Sequence, residues 1–216
     1  MKAFKQVMSW VIPVVIGLLI AFLIRAFVLQ PVRVDGPSML PNLQNNERVI
    51  TWKQAKIHRG SVVVFVANGV DTTNSFTKKT FYVKRVIGIP GDTVSYRNGN
   101  LYVNGKKIRQ DYISKYQRTK GTERNVIGST DITSNQGNWN LKTLSTQNGW
   151  LKNNGATKVP KDEYFVLGDH RNVSNDSRYY GFVPRKKIVG VVHVGFWSGN
   201  QTKKSNVNDE WKNYFE

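Results

Sequence analysis

Phe81-Tyr82-Val83-Lys84-Arg85-Val86-Ile87-Gly88-Ile89 is apolar and largely β-branched or aromatic, apart from two adjacent charges, and Pro90-Gly91-Asp92 closes it with a turn signal. The run predicts a strand. Strand neighbours point to opposite faces, so Lys84 shares a face with Tyr82 and Val86, and Arg85 shares one with Val83 and Ile87. Either both charges sit at a sheet edge and pair with carboxylates, or one of them points into the domain. Burial favours the neutral form of lysine: a drop of about three units from a pKa of ~10.4 would cost roughly 4 kcal/mol. Neutral lysine is a competent general base.

Outward from this run, the chain reads as further strands. Val49 to Trp52 and Gly60 to Val66 precede it, with residues 67–79 as a polar hairpin tip. Val94 to Arg97 and Leu101 to Val103 flank Asn98-Gly99-Asn100, a hairpin signal. Tyr164 to Leu167 returns to core character, and Ile188 to Phe196 is the last strand. Residues 111–158, rich in Asn, Thr, Ser, Gly and Lys, read as a polar insertion, partly ordered by Trp139 and Trp150. Residues 198–216 read as a surface tail with some helical potential. The fold class is mainly β, its β-rich domain formed by 30–110 and 159–197.

Before that domain lies an anchor. Residues 1–6 are polar, and Val7 to Leu29, 23 residues with Arg25 as the single charge, would cross a hydrocarbon core of ~30 Å at ~1.5 Å per residue. Arg25 can snorkel, and Pro13 is tolerated in a membrane helix. A cleavable secretory signal would have a shorter core and a small-x-small site, which does not follow Leu29. Lys2 and Lys5 on one side and Arg25 and Arg33 on the other leave the orientation unbiased by charge.

Composition narrows the chemistry. The chain carries 32 Lys and Arg against 14 Asp and Glu, a net charge of +18, which suits an anionic partner. Without a basic helix, a zinc-finger spacing or an aromatic nucleic-acid motif, a membrane surface is favoured over nucleic acid. The absence of cysteine excludes disulfides and thiolate chemistry, and three histidines make a multi-histidine metal site a poor expectation. No cofactor or metal is expected.

Two polar stretches complete a constellation. Asp35-Gly36-Pro37-Ser38-Met39-Leu40-Pro41 holds Ser38 between two prolines that stiffen the backbone, just beyond the anchor. Gly168-Asp169-His170-Arg171-Asn172-Val173-Ser174-Asn175-Asp176-Ser177-Arg178 is a dense polar loop after an apolar strand, able to orient a base and to lock itself with ion pairs. Serine plus lysine without histidine is a known variant of the serine-nucleophile arrangement.

In this order, Gly36 to Leu43, Arg59 to Phe65, Tyr82 to Asp92 and Gly168 to Gly181 resemble type I signal peptidases, the membrane-anchored Ser/Lys endopeptidases that remove signal peptides from exported preproteins. The resemblance implies a β-rich, two-lobed catalytic domain on one transmembrane helix, with residues 1–6 cytoplasmic and the domain outside the cell, facing membrane lipid. It implies Ser38 as nucleophile, Lys84 as general base and Ser174 as the hydroxyl that orients the lysine. Arg85, Asp169, Asp176 and Arg178 correspond to ion-paired residues near the site. Met39, Leu43, Tyr82 and Val83 correspond to positions lining apolar pockets for Ala-x-Ala-type cleavage sites. Gly36 stands where one branch has a serine that donates to the oxyanion, which points to the Gram-positive branch and shifts oxyanion binding toward the Ser38 N–H. His170 replaces a usual asparagine and reads as a loop substitution. The related Ser/Lys self-cleaving repressors carry a DNA-binding domain where this chain has its apolar helix, and a non-catalytic, polyanion-binding homologue should lack Ser38 or Lys84.

Overall fold

A computed structural model of the chain describes residues 2–123, 137–195 and 197–216. The expected strand end at Phe196 and residues 124–136 of the expected insertion lie outside the described residues.

The first helix, α1 (Lys2–Phe27), contains the apolar stretch Val7–Phe27, with a mean hydropathy of 2.7 and no buried residue. A helix that is apolar all round and packs against nothing needs an apolar solvent, and its length fits a bilayer core. The protein is membrane-anchored. The helix ends before Leu29, which already pairs with Trp52 as the first residue of a strand. Lys53 and Gln54 finish it from outside: Lys53 Nζ donates to the Ala26 carbonyl at 2.8 Å and Gln54 Nε2 to that of Phe27 at 3.1 Å. Carbonyls left over at a helix C-terminus are thereby satisfied, by a cation in the first case.

Beyond the anchor the chain is β-rich, as expected. In chain order the strands are β1 (Leu29–Arg33), β2 (Arg48–Trp52), β3 (Val62–Val66), β4 (Phe81–Gly88), β5 (Val94–Arg97), β6 (Asn100–Val103), β7 (Lys106–Lys107), β8 (Trp139–Asn140), β9 (Glu163–Leu167), β10 (Val183–Pro184) and β11 (Ile188–His193). Seven form one antiparallel sheet in the order β1-β2-β11-β3-β4-β9-β10, and four form a second in the order β7-β6-β5-β8. Pro184, which has no N–H to donate, lies on the outermost strand of the large sheet.

The large sheet is covered on both faces, which is why β3, and β4 apart from its two charges, are continuous apolar runs rather than alternating ones. Val62 and Val64 pack with Val34, Val49 and Val192 on one side, while Val63 and Phe65 pack with Val86, Val166 and Tyr180 on the other. A third core, under the small sheet, gathers Tyr96, Leu101, Trp139, Trp150 and Phe165. Ile87 from β4 and Phe165 from β9 enter that core, so the two lobes share the strands that carry the site.

The described parts of 111–158 contribute to the interior. Trp139, Trp150, Leu141 and Leu144 are core residues, the last two from α2 (Leu141–Gln147), which Asn140 and Thr143 cap reciprocally. Residues 198–216 are also docked: Val207 and Tyr214 are buried, and the Tyr214 hydroxyl donates to the Ile87 carbonyl at 2.6 Å.

Candidate active site

Ser38 lies in a turn between β1 and β2, half-buried, after Gly36, whose φ of +83° lies in the region that glycine adopts without strain. The turn is closed by Leu40 N–H to the Pro37 carbonyl (3.1 Å) and Leu43 N–H to that of Met39 (2.9 Å). From the opposite side the His170 N–H donates to the Ser38 carbonyl at 3.0 Å. The His170 ring faces the Pro37 carbonyl oxygen at 3.3 Å. Among the described residues the Ser38 N–H has no hydrogen-bond partner, which leaves it free to bind an anionic oxygen.

Lys84 is 4% exposed, opposite Val63 in the β3–β4 pairing, and its Nζ lies 2.7 Å from Ser38 Oγ. Burial is the main cause that brings its pKa down to about 8, assisted by the Arg178 guanidinium; Asp176, Asp169 and Asp71 oppose the shift. Arg85, on the other face, is also buried, so both charges of the strand point inward and neither sits at a sheet edge. Arg85 makes a two-pronged pair with Asp169, 2.8 Å at each contact, and donates to the carbonyls of Gly60 (2.9 Å) and Asn206 (2.8 Å). Its guanidinium lies 3.9 Å from the centre of the Tyr112 ring. Burial alone would lower the Arg85 pKa, but Asp169 outweighs it and the pKa is raised.

Asp176 caps the short helix α3 (Ser177–Tyr180), accepts the Gly168 N–H at 3.1 Å and pairs with Arg178 at 2.9 Å. Burial opposes ionisation of Asp176, yet the Arg178 charge and these donors hold its pKa below the ordinary value. Arg178 also reaches the carbonyls of Gly121 and Arg171. The loop is thus locked from inside.

Gly168 brings Ser38 and Ser174 together. A Cβ on Gly168 would overlap Ser174 Oγ and the Ser38 carbonyl oxygen, so the close approach of these two segments depends on a missing side chain. Ser174 Oγ is buried and has no hydrogen-bond partner among the described residues. In this structure it is beside the Ser38 backbone but not bonded to Lys84. Ser174 also lines a cavity of about 700 Å³ together with Thr73, Asn148, Asn175 and Tyr179.

Of the expected pocket residues, Met39 and Leu43 have no exposed surface and pack with Val83 in the core beneath the Ser38 turn. Tyr82 is half-buried, with Lys84 Nζ 5.2 Å from its ring centre.

Three residues escaped the sequence reading. Asp71, expected to lie on a solvated hairpin tip, is 2% exposed and gathers Thr73 N–H and Oγ1, Asn74 Nδ2, the Tyr82 hydroxyl and Asn175 Nδ2. It ties the tip to the strand of Lys84 and to the loop of Ser174. Asn42 is buried four positions after Ser38 and donates to Asp169 at 2.8 Å and to the Tyr112 carbonyl at 2.8 Å. Arg171 is buried against Thr122 (2.8 Å) and Tyr112 (2.9 Å). Nothing in a local pattern distinguishes Asp71 or Asn42 from a turn residue; Arg171 stood within a stretch already notable for its charge density.

The chain matches the family described as signal peptidase, peptidase S26, over residues 7–197. It is 35% identical to signal peptidase IB of Staphylococcus aureus (strain COL) over 210 residues, 95% of this chain and 97% of that one. To signal peptidase I P of Bacillus subtilis subsp. natto it is 36% identical over 199 residues, 89% and 90% of the two chains. The crystal structure of a signal peptidase I from Enterococcus faecalis V583 is 31% identical, covers 63% of this chain and 97% of its own, and has a TM-score of 0.45.

Proposed function

This chain belongs to the peptidase S26 signal peptidases, in their Gram-positive branch, and is a membrane-anchored serine peptidase that removes signal peptides from preproteins; on that premise we propose that Ser38 and Lys84 perform the cleavage through an acyl-enzyme. The observation that carries this reading is the 2.7 Å contact between Lys84 Nζ and Ser38 Oγ, with the amine buried and held near a pKa of about 8.

Neutral Lys84 takes the Ser38 proton as Oγ attacks the scissile carbonyl carbon. Negative charge that develops on the carbonyl oxygen meets the Ser38 N–H. The Lys84 ammonium then returns its proton to the departing amine of the mature protein, which breaks the peptide bond and leaves the signal peptide esterified to Ser38. A water molecule, giving its proton to the now neutral Lys84, attacks the ester carbonyl; the ester C–O bond breaks, and Lys84 passes that proton to the departing Ser38 Oγ. Ser174, whose hydroxyl has no competing partner among the described residues, steers the amine between these steps.

Cleavage after Ala-x-Ala-type sites fits the uncharged surroundings of the dyad: Tyr82 shares the Lys84 face of β4, and Val83, on the other face, packs with Met39 and Leu43 beneath the Ser38 turn. The Arg85–Asp169 and Asp176–Arg178 pairs hold the strand and loop that present the dyad. The domain works on the outer side of the membrane, at the lipid surface that its +18 charge suits, with the N-terminus in the cytoplasm. The test is cleavage of an Ala-x-Ala preprotein by the detergent-solubilised full chain. Wild type should cut once, and Ser38→Ala should be inert though folded; near-wild-type turnover by Ser38→Ala would end the reading.

A further inference from the structure

Behind the dyad, four residues from distant parts of the chain close a ring. Arg85, adjacent to Lys84 on β4, binds Asp169 with two N–H groups at 2.8 Å. Asp169 accepts Asn42 Nδ2 at 2.8 Å, and Asn42 belongs to the turn that carries Ser38. Asn42 Oδ1 accepts Asn206 Nδ2 at 2.8 Å, and the Asn206 carbonyl accepts Arg85 Nη1 at 2.8 Å. Asn206 is the member contributed by the C-terminal tail.

The backbone of the tail is shaped for this contact. Asn206 lies in a π-helical turn, Ser205–Asp209, an irregular geometry that is rare and recurs at functional sites. The tail does not need the Asn206 side chain in order to dock. Val207 is in the core, Trp211 stacks on His58 with ring centres 4.6 Å apart, and Phe215 bridges Ile108. The Asn206 amide instead satisfies the remaining acceptor of a buried asparagine whose two amide bonds go to Asp169 and Tyr112.

We propose that Asn206 is a positioning residue of the peptidase. Through Asn42 it sets the turn of Ser38, and through Arg85 it sets the strand of Lys84, so one residue of the tail fixes both reacting atoms relative to each other. This rests on the assignment of Ser38 and Lys84 as the dyad. Loss of such registration slows chemistry more than binding, because substrate meets the outer face while the ring lies behind it.

The experiment measures kcat and KM of the detergent-solubilised full chain on an Ala-x-Ala peptide, with Tm recorded in parallel. Asn206→Ala should lower kcat by roughly 10- to 100-fold with KM within about twofold. Asn206→Asp, which keeps the shape but turns an acceptor toward Asn42 Oδ1, should lower kcat likewise. Asn42→Ala combined with Asn206→Ala should be far less damaging than the product of the two single effects, since each breaks the same ring. Trp211→Ala, which weakens the tail without touching the ring, should lower Tm and spare kcat. An unchanged kcat in Asn206→Ala and Asn206→Asp would overturn the proposal, as would multiplicative single effects or an equal loss of kcat in Trp211→Ala. Survival of activity in Ser38→Ala would sink the dyad assignment by itself, whereas an inert Ser38→Ala beside a fully active Asn206→Ala would sink only the role of Asn206.

Discussion

Lys84 and Arg85 are consecutive residues on β4, both buried, yet Arg85 alone has a carboxylate within ion-pairing distance among the described residues. The strand therefore holds one cation in its charged form and destabilises the charge on the other. Arg85 is pushed up by Asp169, and Lys84 is pushed down to about 8 by burial. A single register on a doubly covered sheet produces a structural cation and a chemical base side by side.

The first prediction concerns pH. Activity requires neutral Lys84, so kcat/KM should rise with pH and level off above about 8. Stability follows the same group with its own sign. The folded pKa lies below the ordinary lysine value of 10.5, so the unfolded chain binds more protons between about 8 and 10.5, and stability contributed by this site grows as pH rises through that window. Below about 8 the penalty is full, of order 3 kcal/mol. Lys84→Met should abolish cleavage, raise stability at pH 7, and flatten that part of the stability profile. Chemical denaturation at pH 7 and pH 10 checks it; the same pH dependence in wild type and Lys84→Met would count against a depressed lysine.

A second prediction tests the paired neighbour. Asp169→Ala leaves Arg85 charged and buried without its partner, a loss expected to cost about 3–5 kcal/mol. Asp169 also receives Asn42, so the Ser38 turn should loosen and activity should fall together with Tm. A Tm within a degree or two of wild type would show that Arg85 is held by the Gly60 and Asn206 carbonyls alone.

Gly168 supports a third. An alanine there must displace Ser174 or the Ser38 backbone. Gly168→Ala should reduce kcat/KM by about 100-fold or more and cost about 1–3 kcal/mol, the usual range for overpacking. Gly105→Ala, in open space but at a positive φ, should cost stability without costing activity. Equal activity losses in the two variants would show that activity follows general destabilisation and not the contact at Gly168.

Much of this site was legible from the sequence because its strands are strongly patterned. The run from Phe81 to Ile89 allowed only a strand, and a strand fixes which face Lys84 shares. That Arg85 is buried as well was not legible, because alternation assigns faces but does not say that both faces are covered. Arg85 is covered by Tyr112, and the core beyond it by Trp139, Leu141 and Trp150, all within a stretch whose composition is that of a surface loop. Tyr214 and Asn206 likewise stand in a polar tail, and their partners on β4 are more than a hundred positions away. Such long-range polar closure depends on the assembled fold, and no local periodicity carries it.

The last prediction concerns Asp71, whose carboxylate is held in ionised form: burial opposes the charge, but Asn74, Thr73 and Tyr82 as donors outweigh it and lower the pKa. Tyr82 is affected in return, its hydroxyl pushed up to about 12 by burial and by the Asp71 charge. The charges that bear on Lys84 are Asp176, Asp169 and Asp71, which favour the ammonium, and Arg178, which opposes it. Asp71→Asn removes one of the three favourable charges while keeping the size of the side chain. The Lys84 pKa should fall further, so the acid limb of kcat/KM should move to lower pH by a fraction of a unit. The substitution also places an amide where Asn74, Tyr82 and Asn175 all donate, so one or more of those bonds must be lost, and the Tyr82 ring should lose its fixed distance from the Lys84 amine. The plateau rate should therefore drop even as the limb shifts. Tyr82→Phe separates the two effects: it removes one donor to Asp71 and keeps the charge, so the limb should stay in place. A pH profile of Asp71→Asn that coincides with wild type in both limb and plateau would show that Asp71 serves the hairpin tip alone.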